Sequence, residues 1–205
     1  SAEAGDGSIR PVFVTGAYPG DVVDVRVRRR KSGAYLGDAV AFHGGNGPER
    51  REPFCRHFAE CGGCTIQDIS YDEQCRYKEA IVRAAYAEYP ELSATDFGPI
   101  LRAPRDRRYR NKLEFSFGAQ RWLSDDEIAR AGEITDRRAL GFHVAGRFDR
   151  VLDLTECHLQ PEPSESIRAF MREFAREAGY SFYDAHAHSG FLRSLVVRTS
   201  QMNET

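Results

Sequence analysis

The chain has 205 residues, 41% of them apolar and 29% charged, with a formal net charge of −2. This is the balance of a folded chain long enough for one large domain or two small ones, and it excludes a disordered polyelectrolyte. It contains no apolar run long enough to span a bilayer. The polar start has no apolar leader, and five cysteines in such a length do not make a secreted disulfide scaffold, so a cytoplasmic chain without a membrane partner is expected.

From the N-terminus, residues 11–43 read as short strands. Val23, Val25 and Val27 alternate with Asp24, Arg26 and Arg28, a period of two, and Pro19-Gly20 and Ser32-Gly33 punctuate the run. A small antiparallel barrel of about five strands is the expected container, its first strand incomplete because the chain starts late. Residues 44–53, rich in Gly, Pro and Arg, read as a linker, and a cysteine cluster follows at once. Residues 71–89 carry apolar residues at helical spacing, and Pro90 ends that helix.

Leu113, Phe115 and Phe117 alternate within a strand at 108–118, and Ser124 before Asp125, Asp126 and Glu127 signals a helix N-cap. Residues 139–154 read as a hairpin turning at Ala145-Gly146. Ser164 to Ala178 reads as an amphipathic helix with Ile167, Phe170, Met171 and Phe174 on one face, and 191–199 as a last strand. Strands and helices without strict alternation predict an α+β class. The expected divisions are a barrel at 1–48, a cysteine loop at 49–70 and a central α+β domain at 71–205.

Cys55, Cys61 and Cys64 fall within ten residues, with two glycines between the last pair; Cys157 follows a strand far along the chain. Three neighbouring thiolates and one distant one make a four-sulfur site. On spacing alone, tetrahedral zinc and an iron–sulfur cluster fit equally well. The glycines let the backbone turn tightly and bring its N–H groups near cluster sulfides. Cys75 reads as an ordinary helical residue. His158 adjoins Cys157, but four cysteines complete the site without it, and His143 reads as packing or RNA contact. Asp184, His186 and His188 read as a polar loop.

The basic residues are clustered despite the net charge. Arg26 to Lys31 holds five bases and no acid, and Arg102 to Lys112 holds six against one acid, Asp106. Arg28, Arg29, Arg30 and Lys31 are candidate phosphate contacts, with Tyr35 and Phe42 as stacking platforms. Arg110, Asn111 and Lys112 sit at the start of a strand. Arg105 to Arg108 is as readily a solvated loop.

The run CRHFAECGGCTIQDISYDEQCRYKEAIV resembles the cluster-binding signature of TRAM-domain RNA (uracil-5-)methyltransferases. The segments PVFVTGAYPGDVVDVRV, YRNKLEFSFG, LGFHVAGRFDRVLDLTECHLQ and FLRSLVVRTS continue the resemblance in the family's order, over nearly the whole chain. The pattern is most similar to the members acting on 23S ribosomal RNA. The resemblance implies a 4Fe–4S cluster on Cys55, Cys61, Cys64 and Cys157, an RNA substrate contacted by Arg110, Asn111 and Lys112, and S-adenosylmethionine as methyl donor, in a protein expected to be a monomer. It also implies that the Rossmann-like domain carrying the nucleophilic cysteine and the general base lies outside this chain, which alone is expected to be inactive. The alternative is a stand-alone nucleic-acid-binding module with a structural four-cysteine metal site.

Overall fold

A computed structural model describes residues 2–3, 9–92, 95–130 and 134–200. The chain forms two compact units, Ser1–Arg51 and Glu52–Thr205.

In the first unit, β1 (Ala2–Glu3) pairs with β2 (Ile9–Arg10), and β3 (Val12–Thr15), β4 (Asp21–Lys31) and β5 (Ala34–Gly45) form a second sheet ordered β3-β5-β4. The strand period of the valine run produces β4. Ser32 and Gly33, both at positive φ, form the two-residue turn that folds β5 back onto it, with Lys31 opposite Ala34. Such turns match the right-handed twist of the strands they join, and glycine meets their conformational demand without strain. Three register shifts bend the ladder. One consequence departs from simple alternation. Val23 and Val25 are half-buried but Val27, opposite Gly37, is 53% exposed.

The expected closed antiparallel barrel is not formed among the described residues. The sheet has three strands, β3 runs parallel to β5, and the two-residue strands β1 and β2 form a ribbon of their own. Closing a sheet requires enough strands at a consistent tilt and stagger; a four-residue β3 beside one long hairpin does not provide them. The expected linker is anchored too. The Arg50 guanidinium lies 2.6 Å from Asp21 Oδ2 and stacks over the rings of Tyr18 and Phe42.

The second unit begins with the cysteine loop and α1 (Tyr71–Tyr86), which is capped by the Ser70 hydroxyl accepting from Glu73 N–H. Its sheet is fully antiparallel in the order β8-β7-β6-β9, built from β6 (Lys112–Gly118), β7 (Ala139–His143), β8 (Val151–Asp153) and β9 (Ser194–Arg198). The alternation in β6 sends Leu113, Phe115 and Phe117 into the core, where Leu140, Leu152, Leu154 and Val197 meet them. Each such side chain contributes about 1.5–3 kcal/mol on burial. Ser124 and Glu127 exchange side-chain and backbone hydrogen bonds at the start of α2 (Asp125–Arg130), a reciprocal cap.

Helix α3 (Ser164–Glu177) covers the core with Ile167, Met171 and Ala175, whereas Phe170 and Phe174 are exposed, so the buried stripe is narrower than the sequence periodicity suggests. Arg168 takes the central place on that stripe at 1% exposure. Its guanidinium donates to Leu154 O and to Glu165 Oε2. Beside it the Ser164 hydroxyl donates to Gln160 Oε1, and Gln160 Nε2 donates to Val197 O at 3.0 Å. These buried polar bonds fix residues 154–160, the segment that carries Cys157.

Candidate metal centre and nucleic-acid surface

The cysteine loop is held by its own turns, with Phe58 N–H donating to Cys55 O and Cys61 N–H to His57 O. It is then strapped to the sheet. Cys61 bridges Val144, Gly62 N–H donates to His143 O at 3.0 Å, and Ala145 N–H donates to Glu60 O. A second set of bonds joins it to the segment after β8. Arg56 N–H donates to Glu156 Oε1 at 2.9 Å, and Thr155 N–H donates to His57 Nε2 at 3.0 Å. Cys55, Cys61, Cys64 and Cys157 consequently line one cavity, walled by Phe58, Phe142, Leu154 and Leu159. All four are free thiols.

The two glycines act through space rather than through turning, since neither has positive φ. A Cβ on Gly62 would lie 2.7 Å from His143 O, so only glycine lets the loop approach the β7 end this closely. Gly63 N–H points back to Cys61 Sγ at 3.4 Å, which leaves a donor on a ligand sulfur. Of the pair, only Gly63 directs its N–H toward the sulfurs.

Burial pushes the thiols up. Cys157 rises to about 11, chiefly through desolvation, which the hydrogen bond from Leu159 N–H only partly offsets. Cys55 and Cys61 rise for the same reason, partly offset by His57 and Gly63 N–H respectively. A cation at the cavity reverses this logic, because bound thiolates are deprotonated outright. Burial also lowers His57, in keeping with its Nε2 acting as an acceptor.

Among the described residues, one group of three ligand atoms lies within 4.8 Å of one another, formed by Cys55, Glu156 and His158. No three of the four cysteine sulfurs come that close together. Tetrahedral zinc with bonds of about 2.3 Å requires sulfurs roughly 3.8 Å apart. Four thiolates lining one apolar-walled cavity are a donor set that suits a cluster as well as zinc. The place of His158 was missed from sequence. Its Nε2 is buried, 3.4 Å from Glu156 Oε1 but too poorly aligned for a hydrogen bond. The adjacent Glu-Cys-His triplet at 156–158 was the available signal. Cys75 is buried within α1, apart from this cavity.

The basic candidates divide by what they touch. Arg28 is engaged, with Nε 3.0 Å from Asp38 Oδ2 and Nη2 donating to Thr15 Oγ1. Arg29, Arg30 and Lys31 are exposed at the end of β4, and Arg30 lies opposite half-buried Tyr35. Phe42 is 53% exposed and has Arg50 over one face of its ring at 5.1 Å.

In the second unit Arg105, Arg108, Tyr109, Arg110 and Asn111 line a cleft of about 450 Å³ that Lys112 does not reach. Within it Arg108 pairs with Glu162 at 3.3 Å. Arg107, outside it, stacks over Phe54 at 4.7 Å. Arg108 and Arg110 N–H groups donate to His158 O and Leu159 O, tying the cleft wall to the segment that carries Cys157. Asp184, His186 and His188 serve a loop. The Asp184 carboxylate caps the N–H groups of His186 and Ala187, His186 Nε2 lies 3.2 Å from Asp149, and His188 Nδ1 meets the Tyr183 hydroxyl.

No family model matches the chain. It is 40% identical over 193 residues to an uncharacterized RNA methyltransferase of Bacteroides thetaiotaomicron, covering 94% of this chain and 42% of that protein. An uncharacterized RNA methyltransferase of Porphyromonas gingivalis is 39% identical over 198 residues, with the same two coverages. The chain thus spans about two-fifths of the length of the curated relatives it matches. Among solved structures it is similar to Pyrococcus abyssi tRNA (uracil-54, C5)-methyltransferase in complex with S-adenosyl-L-homocysteine. That match has a TM-score of 0.61 at 22% identity and covers 94% of this chain and 39% of the other. It establishes a shared fold over that part.

Proposed function

We propose that the protein containing these residues is an S-adenosylmethionine-dependent RNA methyltransferase acting at uracil C5, with 23S ribosomal RNA as substrate, and that this chain bears a 4Fe–4S cluster and grips the RNA. The observation that carries the reading is the convergence of Cys157 with Cys55, Cys61 and Cys64 on one apolar-walled cavity, in a chain whose relatives are named RNA methyltransferases.

The work of this chain's own residues follows from their positions. Cys157 joins the segment after β8 to the cysteine loop, and Arg168 and Gln160 hold that segment from behind. When bound, a cluster ties four thiolates into one cross-link and adds a redox-active centre. Arg29, Arg30 and Lys31 contact phosphates without reading sequence. Arg105 and Arg110 do the same at the cleft, and Tyr109, 52% exposed, offers a ring for stacking.

Uracil C5 chemistry requires the target base to leave its stack. A cysteine thiolate then bonds to C6, C5 takes the methyl group from S-adenosylmethionine, which would leave as S-adenosylhomocysteine, and transfer of the C5 proton to a base expels the thiolate. Cys75 is 3% exposed, and the other four cysteines line the metal cavity, so none of the five is assigned as that nucleophile.

Two measurements test the reading. Anaerobic purification with iron, acid-labile sulfide and zinc analysis is expected to give four irons and four sulfides per chain. Stoichiometric zinc without sulfide would overturn the cluster in favour of a zinc site at this cavity. Incubating the full-length protein with 23S transcripts and labelled S-adenosylmethionine is expected to yield 5-methyluridine. Label in any other nucleoside would overturn the uracil assignment.

A further inference from the structure

The alternation that sends Leu113, Phe115 and Phe117 into the core turns Glu114 and Ser116 to the opposite face of β6. There they line a pocket of about 430 Å³. Ser116 stands opposite Ser194 of β9, and Tyr183, Phe148 and Arg193 wall the space. The wall carrying Tyr183 is built. Tyr183 N–H donates to Leu192 O, Asp184 N–H donates to Ser189 O at 2.7 Å, and the Arg193 guanidinium stacks over the Tyr183 ring at 4.7 Å. The volume lies in the range of small-molecule sites.

Of the two carboxylates in the lining, Asp149 is engaged by His186 at 3.2 Å and Arg150 at 3.5 Å, so the chemistry that narrows the occupant is that of Glu114. Aromatic walls suit the face of a nucleobase. Glu114 is out of place for a backbone contact, because a carboxylate only accepts hydrogen bonds and repels phosphate. What it accepts well is a pair of parallel N–H donors, as in its bidentate bonds with guanidinium. Guanine presents such a pair in N1–H and N2–H. Uracil offers a single N3–H between two carbonyls, which face the carboxylate unfavourably. Cytosine and adenine each offer an amino group beside a ring acceptor. Arg193 is the donor type that suits guanine O6 or N7, or an adjoining phosphate.

We infer that this pocket takes an unpaired guanine of the RNA, separate from the base that is methylated, with Glu114 as the residue that selects it. The inference rests on the reading that the chain binds RNA. The test measures fluorescence anisotropy of the 205-residue chain with a uridine decamer and with decamers carrying one central G, C or A, at fixed salt. The single-G decamer is expected to bind about tenfold tighter than oligo-U, the scale of one good bidentate contact, and tighter than the C and A decamers. Glu114→Gln, nearly isosteric on an exposed strand position, is expected to reduce that ratio to below twofold while keeping the wild-type melting profile. Equal binding of all four decamers, or a guanine preference that survives in E114Q, would overturn the pocket assignment and leave the RNA reading standing. If no decamer binds, the RNA reading fails and this inference with it.

Discussion

The two units keep their shape by different means. In the first, Ala34 and Pro48 are the buried apolar side chains among the described residues, and Phe13, Val22, Val27, Val40 and Phe42 are each about half exposed or more. A long ladder and the Arg50–Asp21 pin order it. In the second, aromatic and aliphatic side chains from all four strands meet under α3, and buried polar bonds lock the segment that carries Cys157. A hairpin ladder sets backbone geometry but removes little apolar surface from water, whereas a sheet covered by a helix does both. The rigid placement needed to bring four sulfurs together is therefore available in the second unit.

The sharpest break of that comparison is to separate the units. Residues 52–205 alone are expected to melt cooperatively and residues 1–51 alone to show no cooperative transition by circular dichroism. A cooperative melt of 1–51 would show that the ladder suffices. Next in size is Cys157→Ser, expected to abolish bound iron and sulfide and lower the melting temperature by about 10 °C. Cys75→Ala, as the control, should keep its metal content. An unchanged melting point in C157S would remove Cys157 from the ligand set.

Arg168→Ala is expected to cost about 3 kcal/mol in denaturant unfolding, since it leaves Leu154 O with only the longer bond from Arg172 and Glu165 without the guanidinium that pairs with it. A loss under 1 kcal/mol would mean that the segment is held without it. Gly62→Ala should cost about 2 kcal/mol by forcing the loop off His143 O, and Gly63→Ala less, because its new methyl group would meet Cys61 Sγ at 3.4 Å rather than backbone at 2.7 Å. A reversed order would argue that the pair serves the sulfurs and not the packing. Smallest is Arg50→Ala. About 1 kcal/mol should be lost from the first unit, with metal content unchanged, because Asp21 keeps only its bond from Tyr18 N–H.

Much of the candidate site was legible because its signals are local. Three cysteines within ten residues declare a thiolate site whatever surrounds them, and a period of two in Leu113, Phe115 and Phe117 declares a strand with one buried face. Other features depend on partners far along the chain. Nothing near Arg168 marks it as the most buried large side chain of α3, since an amphipathic pattern places arginine on the wet face. Arg28 belongs to a basic run, yet Asp38 and Thr15 engage it across the sheet. Val27 fits the alternation and is nonetheless 53% exposed.

The sequence by itself determined the thiolate set, the basic runs and most of the strands and helices, for these follow from residue type and from spacing along a few turns or pleats. Only the tertiary structure decided that the first sheet stays open, which arginines are engaged, that His158 and Glu156 stand beside Cys55, and that Glu114 faces a pocket. Each of these turns on which distant backbone lies opposite, and that is settled by the packing of the whole core and not by local preference.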